Sequence, residues 1–135
     1  MIPVFLDTSF LIALEASDDQ YHAQANTYWR EFHGKPLPLV TSSYIFDEVV
    51  TFFSVRKRHA KAIEIGKYLL ASPSIHFVHV DDVLFNEAWR FFQRHGDKQY
   101  SLTDCVSFVI MKRLKIKAAL SFDKHFTQAG FARSP

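Results

Sequence analysis

Cysteine is nearly absent, with Cys105 standing alone among 135 residues. An internal disulfide is thereby excluded, as is every zinc site built on several cysteines. One unpaired thiol fits a reducing compartment. Glycine is scarce too: Gly34, Gly66, Gly96 and Gly130 lie roughly thirty residues apart. Neither a GxGxxG turn nor a GxxxxGKS/T loop can be written with them, which excludes dinucleotide binding of the usual kind and P-loop chemistry. The longest uninterrupted apolar run, residues 10–14, is far below the ~18 residues of a membrane span. The first residues enter an apolar stretch without a basic leader, so no secretory signal is expected. The expected compartment is the cytoplasm, with no membrane partner.

What is present is ordinary in bulk and unusual in one respect. Apolar residues make up 48% and charged residues 22%, as in a globular protein with one core. A chain this long buries roughly two thirds of its unfolded surface, so a single domain over 1–135 is expected. The net charge of +2 and pI near 8.7 permit nucleic acid as a partner without demanding it. Aromatics are in excess: 14 Phe, 5 Tyr and 2 Trp reach 16%. Some of those rings are expected to face a partner surface.

Apolar periodicity alternates strand and helix. Strands are expected over 2–6, 39–41, 75–80 and 118–122, with a fifth at an edge over 130–133. Helices are expected over 10–14, 21–32, 44–55, 60–70, 82–95 and 103–114. Gly34 and Pro36 stop the second, and Asp81 or Asp82 caps the fifth. On that fifth helix Phe85, Ala88, Trp89 and Phe92 share one face. Short apolar strands between helices imply a parallel sheet with helices on both faces, a three-layer α/β/α sandwich. Such sheets place ligands at the carboxyl ends of their strands.

Four acids can reach that edge from separate segments. Asp7 ends the first strand and Asp123 follows the fourth; Asp104 lies in the first turn of the last long helix, and Glu48 just over one turn into the third. Helical side chains lean toward their own N-terminus, so Glu48 can reach back to the sheet. Asp47 competes with it, but Glu48 shares a stripe with Tyr44 and Val55 that should face the core. Each acid also has a purely structural reading. Asp7 can start a helix, Ser101 with Asp104 matches a capping box, and Asp123 can cap the turn at Lys124 and His125. Gathered together, they conflict: two carboxylates ~5 Å apart repel by about 3 kcal/mol at an effective dielectric of 20. A divalent, oxygen-seeking ion such as Mg²⁺ or Mn²⁺ removes that conflict without cysteine or clustered histidine. It also stabilises charge growing on a phosphoryl oxygen, which suits phosphodiester hydrolysis.

These motifs resemble the PIN domain, and in particular the VapC toxins of bacterial and archaeal toxin–antitoxin pairs. The likeness runs through Asp7-Thr8-Ser9, then Thr41-Ser42-Ser43 with Glu48-Val49, then Ser101-Leu102-Thr103-Asp104, and last Ser121-Phe122-Asp123-Lys124-His125-Phe126. It implies a Mg²⁺- or Mn²⁺-dependent ribonuclease. Asp7, Glu48 and Asp104 would hold or orient the metal, Asp123 would complete the site, and Ser9 and Ser101 would be its hydroxyls, with Thr8 and Ser121 weaker matches. Phe122 stands where many relatives carry a polar residue. The resemblance further implies an RNA substrate, a cognate antitoxin and a homodimer. A phosphatase of the haloacid-dehalogenase type would need a second Asp where this chain has Ser9. The remaining alternative is a PIN-like or receiver-like module that binds protein or RNA without cutting it.

Other signals are weaker. The basic stretches 56–61 and 112–117 read either as solvated helix ends or as phosphate contacts. His76 and His79, three apart on a strand, point to opposite faces and are not a metal pair. His125, two residues after Asp123, reads as a turn residue ahead of the alternative, a contact to phosphate, and Cys105, beside Asp104, as an unreactive core thiol. The helix over 44–55 is apolar nearly all round and is expected to be covered on every side, either as a central helix or in part by another chain.

Overall fold

The computed structural model describes residues 2–32, 35 and 37–135. β1 (Val4–Leu6) leads into α1 (Thr8–Glu15) and α2 (His22–Arg30). β2 (Leu39–Ser42) precedes α3 (Ser43–Val55) and α4 (His59–Ala71). β3 (Ile75–Val78) precedes α5 (Asp82–Arg94) and α6 (Leu102–Arg113). β4 (Ala118–Leu120), the short α7 (His125–Gln128) and β5 (Ala132–Ser134) follow.

Every neighbouring pair is parallel, in the order β3-β2-β1-β4-β5. Parallel neighbours need crossovers, and these are right-handed in nearly all proteins. The chain steps outward from β1 to β2 and β3, then returns to β4 and β5 on the other side of β1. That handedness puts α1 to α4 on one face and α5 to α7 on the other. The packing agrees: α1 lies against α2 and α3, α3 against α4, and α6 against α5 and α7. The result is the three-layer α/β/α sandwich. The direction in which strands are added reverses between β1 and β4, where an open parallel sheet leaves a crevice at its carboxyl edge.

Strands covered on both faces are largely apolar, with the polar exceptions Thr41 and Ser42 at the end of β2. Phe5, Leu6, Leu39, Val40, Ala119 and Leu120 are all buried, and every position of β2 is inaccessible. β4 ends at Leu120, two residues short of the expected bound, for a visible reason. Ser121 N still donates to Ser134 O of β5, but the N–H groups that follow, of Phe122 and Asp123, donate to the hydroxyls of Ser9 and Ser121 instead of to a strand. β3 ends at Val78, so His79 lies beyond it, its ring 5.0 Å from that of Phe77. α2 ends at Arg30; Gly34 and Pro36, expected to stop it, lie outside the described residues. Asp81 rather than Asp82 caps α5, accepting from Leu84 N at 2.8 Å.

Two helices divide their faces unequally. α3 buries only the stripe Ile45, Val49 and Phe53, and exposes Asp47, Thr51, Ser54 and Val55. It lies in an outer layer, where α4 covers just one flank, with Gly66 of α4 leaving room for the Phe46 ring. The helix buried on every side is α6, continuously from Asp104 to Met111. On α5 the buried stripe is Leu84, Ala88 and Phe91, which pack toward α6. Phe85, Trp89 and Phe92 face outward instead, with Trp89 45% exposed and stacked on Phe92 at 5.5 Å. The surplus aromatics therefore lie largely on this outer face.

Candidate active site

The crevice between β1 and β4 opens into a pocket of about 370 Å³ whose walls include Asp7, Thr8, Ser9, Glu48, Gln99, Ser101, Asp104, Asp123 and His125. All six residues singled out from the sequence, Asp7, Ser9, Glu48, Ser101, Asp104 and Asp123, line it.

Asp7 follows β1, where its N–H still pairs with Leu120 O at 3.1 Å, and caps α1. The structural reading and placement at the pocket are thus both true of one side chain. Its Oδ2 accepts from Ser9 Oγ at 2.8 Å and from Ser121 Oγ at 2.7 Å. The carboxyl is only 5% exposed. Burial, the largest cause, pushes it up from 3.8 to about 6; the Ser121 and Ser9 hydroxyls oppose this, while the charges of Asp123 and Asp104 add to it. Crowding was the expected source of conflict, yet desolvation outweighs it here.

Glu48 reaches the pocket from the second turn of α3 and accepts from Thr8 Oγ1 at 2.6 Å. The stripe that singled it out is not the core-facing one: Tyr44 and Glu48 are half-buried and Val55 is 68% exposed. Glu48 sits on the flank of the buried stripe, and that position points it at the sheet edge while Asp47 faces solvent.

Ser101 and Asp104 form a full capping box at the start of α6: Asp104 N donates to Ser101 Oγ and Ser101 N to Asp104 Oδ2, both at 3.0 Å. Burial first, then the Asp123 charge, raises the Asp104 carboxyl, while the Ser101 backbone bond and His125 lower it. Asp123 accepts from His125 N at 2.8 Å, closing the turn that starts α7.

His125, read from the sequence as a turn residue, belongs to the pocket. Its Nδ1 lies 3.1 Å from both Asp104 Oδ2 and Asp123 Oδ1, buried and without a properly directed hydrogen bond. The Tyr100 ring meets it edge-on at 5.5 Å. The signal was the two-residue spacing from Asp123, which a single turn folds back onto the acid. Among the described residues, Asp104, Asp123 and His125 are the group whose ligand atoms all lie within 4.8 Å of one another. Asp7 and Glu48 line the same pocket and are not part of that group. Gln99 was also missed; it holds a left-handed backbone at φ 58° on the pocket rim.

Cys105 is buried and free, its thiol pushed up to about 11 by burial and secondarily by Asp104. It is no nucleophile. In the first basic stretch Arg56 bonds Phe52 O and covers that ring, and Lys61 pairs with Glu15 at 2.8 Å. Arg56 lies eight residues beyond Glu48 on α3, about 12 Å along the axis. In the second stretch Arg113 pairs with Glu87, and Lys112 sits over the Phe91 ring.

Comparison with known proteins agrees with this architecture. The 23S rRNA-specific endonuclease VapC20 of Mycobacterium tuberculosis is 34% identical over 128 residues, 95% of each chain. The crystal structure of VapC20 from that organism, a sarcin–ricin loop cleaving toxin, matches with a TM-score of 0.86 at 32% identity over 96% of both chains. FitAcB from Neisseria gonorrhoeae shares the fold, with a TM-score of 0.66 at 13% identity over 98% of this chain and 96% of that one. With a PIN domain match spanning residues 4–132 and the parallel sheet carrying its acids at one edge, the chain belongs to the PIN domain family.

Proposed function

We propose that this chain is a Mg²⁺- or Mn²⁺-dependent endoribonuclease, the toxin of a toxin–antitoxin pair, acting in the cytoplasm. The observation that carries the reading is the single pocket walled by Asp7, Glu48, Asp104 and Asp123 at the carboxyl ends of β1 and β4. Its donors are hard oxygens with one imidazole, a set suited to these ions and not to a thiolate-preferring metal. Asp104 and Asp123 would hold the ion, with Asp7 and Glu48 orienting its shell and His125 beside them. A bound divalent ion supplies stabilisation of the charge that develops on the phosphate as water is added across a P–O bond.

The chain's own groups prepare the site. Ser9 and Ser121 fix the Asp7 carboxyl from one side, leaving its other oxygen to the pocket. Thr8 orients Glu48, and the capping box aims Asp104. Such preorganisation removes the cost of gathering the groups at the moment of reaction.

Partners follow from what stays uncovered. A groove of about 310 Å³ lined by Leu11, Leu14, Trp29, Ile65 and Tyr68 supports an antitoxin segment. The outward aromatics of α5 support assembly into a homodimer. No described helix is long and apolar enough to cross a membrane.

The relative's substrate makes a sarcin–ricin stem-loop the first RNA to try. Purified protein with Mg²⁺ or Mn²⁺ should cut that stem-loop or total ribosomal RNA at discrete sites, and a chelator should stop it. Intact RNA under both metals would favour a binding module that does not cut.

A further inference from the structure

Beside the acid pocket, three rings stand in a row. Phe122 lies between Phe10, at 6.0 Å and 12°, and Tyr21, at 4.5 Å and 4°. Phe10 is fully buried, whereas Tyr21 ends the row 39% exposed. Its ring therefore has one face covered and one open. Two members of the row are tied through their backbone N–H groups. Phe122 N donates to Ser9 Oγ at 2.9 Å, the hydroxyl that also holds Asp7, and Tyr21 N donates to Asp19 Oδ1 at 2.9 Å. The Tyr21 side chain caps nothing at the start of α2, and its hydroxyl bonds no described residue.

A rigid ring with one free face is what an unpaired base stacks on. The immediate surroundings also suit a nucleotide chain. Phe122 sits between Ser121 and Asp123, so the backbone carrying the platform is the backbone carrying the acid site. Exposed Arg133 donates from Nη1 to Phe122 O at 3.2 Å, which brings a guanidinium to the same residue.

We propose that Tyr21, backed by Phe122 and Phe10, is a stacking platform for an unpaired base of single-stranded RNA, adjacent to the phosphate cut in the acid pocket. The proposal rests on the ribonuclease reading above and deepens it. A base in a duplex has both faces covered, so the platform selects looped or unwound RNA. Arg133 is placed to hold a neighbouring phosphate.

The test is anisotropy binding of a fluorescein-labelled single-stranded RNA decamer, and of the same decamer made abasic, in a chelator so that no cleavage intervenes. Wild-type protein should bind the abasic strand about tenfold more weakly, the scale of one lost base stack. Tyr21→Ala and Tyr21→Leu should bind both strands alike, while Tyr21→Phe behaves as wild type; thermal melts confirm that each variant is folded. In cleavage, Tyr21→Ala should raise KM about tenfold with kcat little changed. Undiminished base preference in Tyr21→Ala overturns the proposal, as does an equal loss in Tyr21→Phe. Wild-type protein that shows Tyr21-dependent base preference yet cuts no RNA upholds the platform and defeats the ribonuclease reading, so the two failures are distinct.

Discussion

Ser121 Oγ donates to Asp7 Oδ2 across 2.7 Å, tying the ends of β1 and β4 together over 114 residues of sequence. The same hydroxyl accepts from Asp123 N at 2.9 Å. One buried side chain thus sets both the charge state of the first acid and the position of the last. Ser121→Ala should destabilise the fold by about 1–3 kcal/mol, because it leaves the Asp123 N–H without its acceptor and takes from the buried Asp7 carboxyl one of its two hydroxyl donors. It should also move the acid limb of the rate profile to higher pH, since the hydroxyl bond lowers the Asp7 pKa. Denaturant melts and the pH dependence of RNA cleavage check both. An unmoved limb would contradict the role given to Ser121.

The Asp7 carboxyl carries a stability consequence of definite sign. It sits at about 6 in the fold against an ordinary 3.8, with burial the main cause. Between those values the folded state keeps a proton that the unfolded chain has released. Metal-free stability therefore falls as pH rises through that window and stays at the lower level above it. Two pKa units correspond to about 3 kcal/mol. Asp7→Asn, neutral and still an acceptor, should be more stable than wild type at pH 7 in a chelator by up to that amount. The advantage should shrink toward zero near pH 4. Urea melts at the two pH values measure it, and a variant less stable than wild type at pH 7 would contradict the account.

Much of this was legible in the sequence because parallel sheets announce themselves: strands such as Val4-Phe5-Leu6 read as unbroken apolar runs, and their carboxyl ends are where acids matter. The four acids were legible from their positions after strands and within first turns. His125 was not, because its inclusion depends on a tight turn folding it back onto Asp123 and across to Asp104. Which α5 face meets α6 was not legible, because two stripes are apolar, Leu84-Ala88-Phe91 and Phe85-Trp89-Phe92, and periodicity cannot choose between them. Ser121 was less legible than Ser9 because the side chains its hydroxyl meets, Asp7 and Ser9, lie more than a hundred residues away in sequence.

If the pocket binds a divalent ion in the native state alone, Mg²⁺ or Mn²⁺ must stabilise the protein by mass action. At a concentration 100 times the dissociation constant the gain is about 2.7 kcal/mol. Millimolar titration should raise Tm in wild type and leave Asp104→Asn and Asp123→Asn nearly unmoved. Equal shifts in wild type and variants would place the ion elsewhere.

Gln99 holds φ at 58°, a region costly for any residue with a Cβ. Gln99→Gly should relieve that strain and stabilise the fold by about 0.5–1 kcal/mol, net of the entropy glycine adds to the unfolded chain. A melt showing destabilisation of that size would mean the Gln99 side chain contributes contacts that outweigh the strain.

The central claim is that these gathered carboxylates are the cutting centre. It is tested most directly by incubating one RNA with wild type, Asp7→Asn and Asp104→Asn, each purified to the same standard and assayed with Mg²⁺ and with Mn²⁺. The account predicts discrete cleavage by wild type and at least a hundredfold slower cleavage, roughly the loss of one preorganised charged group, by either folded variant. Undiminished cleavage by Asp7→Asn or Asp104→Asn would contradict it.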